Sequence, residues 1–207
     1  MTRAELENII KRYVPDGTEA YVVSLLAKHK IQLKLNKPRS SKYGDYRSPG
    51  RDSKHHRITV NKDLNPYNFL VTFLHEVAHL TAFEKYRHGI DPHGKEWKNE
   101  FKIILEPIVH EHPLPEDIQK ALKQYMNDPA ASSCSDTHLS KVLSKYDKDQ
   151  KLLLEQIPLG TIFRLDTGRI FKKGKKLRSW YQCFELPSNK EYKVSGISKV
   201  EVIEEIK

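Results

Sequence analysis

The chain has 207 residues, 38% of them hydrophobic, a formal net charge of +9 and only two cysteines. That length fits one domain, or one domain and a small module, with an ordinary core. No apolar run approaches the roughly 20 residues needed to cross a bilayer, and Cys134 and Cys183, far apart and in no CxxC pattern, exclude a disulfide framework and a cysteine zinc ribbon.

The opening "MTRAELENIIKRYV" reads as an amphipathic helix near 3–13, with Thr2 and Glu5 at the spacing of a capping box. It lacks the apolar core of a signal peptide, so a cytoplasmic location is expected. A second helix fits 17–29. "IQLKLN" (31–36) alternates apolar and polar, as a half-buried strand does. Residues 37–56 are basic and turn-prone, and "RITVN" (57–61) is a short strand. Asn65 can cap the next helix and Pro66 suits its first position, giving a helix over 66–86. After the loop "RHGID", Asp91 and Pro92 repeat that signal and open a helix that ends near Pro107; another helix fits 114–126. "NDPAASSCSD" (127–136) has the composition of a linker, and a short helix covers 137–147. From about 160 onward, five short segments rich in β-formers, from "GTIFRL" to "KVEVIEE", alternate with Gly, Ser and Asn turns and predict a small antiparallel module.

The positive charge is localised. Residues 28–62 hold eleven Lys/Arg against two Asp/Glu, and 164–178 hold seven against one. Such clusters suit a polyanion, and nucleic acid is the expected partner. In the first, Lys37, Arg39, Lys42 and Arg47 are placed to track phosphates, joined by Arg51, Lys54 and Arg57, and Tyr43 and Tyr46 to stack on bases. In the second, Lys172, Lys173, Lys175 and Lys176, with Arg169 and Arg178, are expected to add phosphate contacts from a hairpin turn.

"FLHEVAHLTAF" carries the chemistry. His75 and His79 are four apart, so on a helix they share one face and can hold one metal ion. Glu76 beside them can hold and deprotonate a water on that metal; this is the HExxH arrangement of zinc hydrolases. The helix is apolar on nearly every side and therefore buried, so its polar strip must line a cleft. A catalytic zinc ordinarily has a third protein ligand. The metzincin pattern fails, because Lys85 and Ala82 stand where it needs histidine and glycine. A following helix offers Glu96, Glu100 and Glu106, of which Glu100 fits best, while His88 and His93 are the histidine candidates. His93 and Glu100, seven apart, face the same way, and spacing does not separate them. The loop before the second helix can aim His93 at the first, and Gly94 removes a side chain that would crowd a metal. Tyr43, Tyr46 and His88 are open candidates for oxyanion stabilisation.

"SSKYGDYR", "HRITVNKDL", "FLHEVAHLTAF" and "DPHGKEWKNEF", in that order, resemble the SprT-like metalloprotease domain over about residues 15–110. That family includes the Spartan-type proteases, which degrade proteins trapped on DNA. The resemblance implies a single zinc ion held by His75, His79 and His93, with Glu76 as catalytic base and proteins, those on DNA foremost, as substrate. The implied fold is α+β: a zincin-like metalloprotease domain, helices packed on a small sheet, over 1–128. Residues 129–207 would then be linker, short helix and a β-rich antiparallel module lacking the zinc ribbon that many relatives carry. The competing reading is a nucleic-acid-binding or regulatory protein with a structural or degenerate metal site. The intact Glu76 favours the enzyme, because a structural site needs no base.

Overall fold

The computed structural model describes residues 2–39, 42–50, 53–87, 89–129 and 136–203. The chain is mixed α+β, with six α-helices and two sheets among the described residues. It divides into two compact units, Met1–Lys148 and Asp149–Lys207.

The first unit is built on a three-stranded sheet in the order β1 (Gln32–Asn36), β3 (Arg57–Asn61), β2 (Gly44–Arg47). β1 runs parallel to β3 and β2 antiparallel. Strand alternation puts Ile58 and Val60 in the core and turns Arg57 and Thr59 to the other face. β2 lies inside the stretch expected to be turn-prone. Gly and Asp are poor strand formers, and pairing with β3 extends them nonetheless.

Helix α1 (Arg3–Ile10) carries the expected capping box: the Glu5 N–H donates to Thr2 Oγ1 and the Thr2 N–H to the Glu5 carboxylate. α2 spans Glu19–Lys28. α3 (Pro66–Tyr86) begins where its cap and proline place it, the Asn68 N–H donating to Asn65 Oδ1 at 2.9 Å. It is the central core element, with Phe69, Phe73, Leu74, Val77 and Leu80 wholly buried. α4 runs Lys95–Glu111, later at both ends than expected. Asp91 and Pro92 form a turn rather than a helix start, and the Asp91 carbonyl accepts from the Gly94 N–H. At the other end the helix passes through Pro107. A helical proline leaves the carbonyl four residues back without its helical partner, and here that residue, Ile103, lies on the exposed side of the helix.

α5 (Glu116–Asn127) and α6 (Thr137–Ser144) complete the unit. The sequence placed α6 with the C-terminal module, beyond a boundary at 128; its contacts are with the first unit. Asn65 Nδ2 donates to the Leu143 carbonyl and to Asp147, Tyr67 packs on Tyr146, and the Tyr146 hydroxyl donates to Asp117 of α5. Leu139 and Leu143 are buried in the same core. Contacts rather than composition set the boundary, at 148/149.

The second unit is one antiparallel sheet in the order β4 (Leu152–Leu153), β9 (Lys199–Val202), β5 (Ile162–Leu165), β6 (Ile170–Leu177), β7 (Trp180–Leu186), β8 (Glu191–Ser195). Phe163, Phe171, Tyr181, Cys183, Val194 and Val200 form its own core, closed by Leu154 and Ile157. Cys183 is a buried free thiol; Cys134 lies outside the described residues.

Lys173 corrects the expectation from charge. It lies two residues after Phe171 on β6, so it shares that strand's inward face and is only 5% exposed. Its Nζ donates to the carbonyls of Ile157 (2.6 Å) and Leu154 (2.7 Å) and lies 4.1 Å from the centre of the Tyr181 ring. Burial pulls its pKa below the ordinary value. Lys173 therefore caps the 3-10 turn Leu154–Gln156 from inside and is not a phosphate contact. Lys173→Met is expected to leave those carbonyls unpaired and destabilise this unit by about 1.5–3 kcal/mol, the worth of charged hydrogen bonds. Faster hydrogen exchange over residues 152–165 would report it; unchanged protection would show the ammonium to be dispensable.

Candidate metal centre

Three imidazoles converge. His75 and His79 lie one turn apart on α3, and His93 reaches them from the turn before α4. The Nε2 atoms are 3.2 Å apart for His75–His79, 3.1 Å for His75–His93 and 2.9 Å for His79–His93. Tetrahedral zinc with bonds of about 2.0–2.1 Å separates its nitrogen ligands by about 3.4 Å, within about half an ångström of this triangle. Three neutral ring nitrogens facing one another repel unless a cation sits among them. The donor set and its spacing fit a metal ion, and this is the one such His/Cys/Asp/Glu group among the described residues.

Glu100, the rival third ligand, points elsewhere: it accepts from Lys85 Nζ at 3.0 Å. His93 differs from expectation in how it is aimed. It precedes α4 and adopts a left-handed backbone, φ 62°, a strained conformation of the kind that collects at functional sites. Gly94 makes that turn possible, but not by clearing space for a metal. A Cβ there would lie 3.0 Å from the Asp91 carbonyl oxygen, so it is the backbone of the turn that needs the room.

Trp97 is the residue that sequence reasoning missed. Fully buried on the first turn of α4, its ring centre lies 4.6 Å from His75, 4.7 Å from His93 and 5.3 Å from His79, and it stacks on Phe101 at 5.2 Å. The His75 Nδ1 is buried with no hydrogen-bond partner among the described residues, so packing on this aromatic floor holds that ring. The available signal was its place in "DPHGKEWKNEF", four residues after His93.

Glu76 is 7% exposed, beside the triad. It accepts a hydrogen bond from the Tyr46 N–H of β2. Gly44, two residues earlier on that strand, is where the strand comes closest: a Cβ there would stand 2.5 Å from Glu76 Oε1 and 2.8 Å from Thr72 Cγ2. Gly44→Ala is therefore expected to push β2 and Glu76 apart, at about 1–3 kcal/mol of stability. Any hydrolytic activity should fall while metal content holds; an alanine variant with the parent's melting temperature and activity would contradict that contact.

The electrostatics follow from burial. It holds His75 far below its ordinary value, to about 3, with His79 and His93 adding to the effect. Burial brings His79 to about 4 and lowers His93. All three are neutral at pH 7, the form that binds metal. Burial pushes Glu76 the other way, to about 8; Asp45 adds to this, and Lys42, Arg39 and the Tyr46 N–H oppose it.

These shifts predict a pH profile for metal-free protein. Below pH 6.5 the unfolded chain binds protons that folded His75 and His79 refuse, so stability rises with pH. Between 4.5 and 8 folded Glu76 keeps a proton that the unfolded chain has lost, so its contribution falls with pH. The two histidines outweigh the single glutamate up to pH 6.5, and only the glutamate slope remains above it. Melting of chelator-treated protein should lose stability from pH 6.5 to 8, and Glu76→Gln should remove that loss; parallel profiles for the two proteins would refute the raised value.

The basic and aromatic candidates divide. Tyr46 faces the core, its hydroxyl 2.9 Å from His56 Nδ1 and its ring against Phe83, so it stacks on no base and has no free hydroxyl for an oxyanion. Tyr43 is half-buried, and its carbonyl accepts from Asn61. Lys37 is exposed; Arg39 donates to Asn61, and Lys42 and Arg47 pair with Asp45. In the second unit Lys172, Lys175 and Lys176 are exposed along strand β6 rather than on a hairpin turn. His88 and Arg51 lie outside the described residues.

Two histidines one turn apart on a buried helix and a third from the next turn form a group that could hold a metal ion, beside a carboxylate at the HExxH spacing. The SprT-like family matches residues 9–113, just over half of the chain, and the chain belongs to that family. It is a family associated with zinc metallopeptidase-like proteins. Neither the curated proteins nor the solved structures gave a match. No helix among the described residues is long and apolar enough to cross a membrane.

Proposed function

We propose that the protein is a zinc-dependent endopeptidase acting on proteins bound or crosslinked to DNA. The observation that carries the peptidase reading is Glu76: a carboxylate buried at the edge of a three-histidine centre, where burial works against its charge. A purely structural metal site has no use for it. What supports the DNA association is the basic charge around β1–β3 and along β6.

His75, His79 and His93 would hold the ion, which supplies Lewis-acid chemistry toward a peptide carbonyl. Glu76 takes a proton from the attacking water through a carboxylate oxygen and delivers it to the leaving amine as the C–N bond breaks. The Tyr46 N–H and the Gly44 approach fix the carboxylate for both transfers. Its environment suits a group that alternates between the two protonation states near neutral pH.

The test is cleavage of a protein crosslinked to DNA, with and without chelator. Chelator should abolish product, and added zinc restore it. Cleavage indifferent to chelator would overturn the metallopeptidase reading. Equal cleavage of the same protein free of DNA would overturn the DNA association alone.

A further inference from the structure

The solvent face of the three-stranded sheet carries a pocket of about 270 Å³ that the peptidase chemistry does not use. The strand register builds it. Lys34, Thr59 and Asp45 form one row across β1, β3 and β2, and Arg57 and Arg47 stand together in the next. Arg39 folds over the end of the sheet to donate to Asn61 Oδ1 at 2.9 Å and Thr59 Oγ1 at 3.4 Å. Four cationic side chains thus line the pocket against one carboxylate, Asp45, already paired with Lys42 and Arg47. Lys34 and Arg57 make no hydrogen bond or ion pair among the described residues, and Arg57 is half-buried.

We propose that this pocket binds a backbone phosphodiester of nucleic acid. An excess of positive charge in a concavity, with two cations left unpaired, is the electrostatic complement of an anion. Arginine forks match phosphate oxygens in pairs. None of the lining residues is aromatic, so the pocket offers no ring for a base to stack on, and the contact proposed is to the backbone, which carries no base sequence. The pocket lies on the reverse of the strand whose Gly44 and Tyr46 touch Glu76. DNA seated there lies across the sheet from Glu76, on the face opposite the one that touches the carboxylate. The inference deepens the DNA association proposed above and rests on it, but not on the peptidase chemistry.

The test uses full-length protein carrying Glu76→Gln, titrated with labelled single-stranded and duplex oligonucleotides of mixed sequence across a salt series. Adding Lys34→Ala and Arg57→Ala should weaken binding about tenfold or more for every sequence. Losing the one phosphate contact should reduce the slope of log K against log salt by about 0.7–0.9. Neither substitution removes a described hydrogen bond, so the melting temperature and, in protein with native Glu76, cleavage of a DNA-free substrate should hold. Parental affinity and slope in the double variant would overturn the pocket, as would a loss confined to one base composition. Loss seen only with Lys172, Lys175 and Lys176 replaced would also overturn it while leaving the DNA association standing. A parent that binds no nucleic acid even at about 50 mM salt would overturn both, and the metallopeptidase reading would survive.

Discussion

Glu76→Gln is expected to keep zinc at the parent's stoichiometry and to slow peptide hydrolysis by about 10²–10⁴-fold, the range a general base supplies. The amide has nearly the shape of the carboxylate and can still accept from the Tyr46 N–H, so β2 and α3 keep their contact. It cannot take up a proton at neutral pH, and water loses its acceptor. Because the native carboxyl is pushed up to about 8 by burial, its neutral replacement should also be somewhat more stable above pH 6.5 when metal-free. Turnover near the parent's, in protein shown to contain metal, would remove Glu76 from the reaction.

His93→Ala should lose the metal itself. It removes one of three nitrogens that stand within 3.2 Å of one another, and two imidazoles on one helix do not make a closed site. The fold should survive, because Trp97 and Phe101 are held by the core rather than by the ion. In the parent, zinc at about a hundred times its dissociation constant should add about 2.7 kcal/mol of stability. In the variant it should add none, and hydrolysis should fall to background. Glu100→Gln is the control: its carboxylate is engaged by Lys85, so zinc content should not change. Metal kept after His93→Ala but lost after Glu100→Gln would reverse the assignment.

Much of this centre was legible in the sequence. α3 announced its start through Asn65 and Pro66, its burial through its apolar residues and its chemistry through the spacing of His75, Glu76 and His79. Spacing alone left His93 level with Glu100, and the family resemblance picked it out, because its aim depends on a left-handed turn that no periodicity records. β2 was hidden: "GDYR" has weak intrinsic preference for a strand and is extended by its pairing with β3. Gly44 and Trp97 were hidden for the same reason, since each matters through what it touches across the fold. Lys173 was counted as surface charge, although the two-residue period from Phe171 already placed it on the inward face.

The three imidazoles come from a short span of chain. His79 and His93 are fourteen positions apart, so an ion gripping both ties off a small ring that contains Arg87, an exposed trypsin site. A cut there would sever the backbone without releasing the halves, since the buried packing of α3 on α4 joins them and the metal clasp adds to it. Nicked protein should therefore migrate as one species under native conditions, and a chelator should lower the temperature at which its two pieces part rather than release them outright.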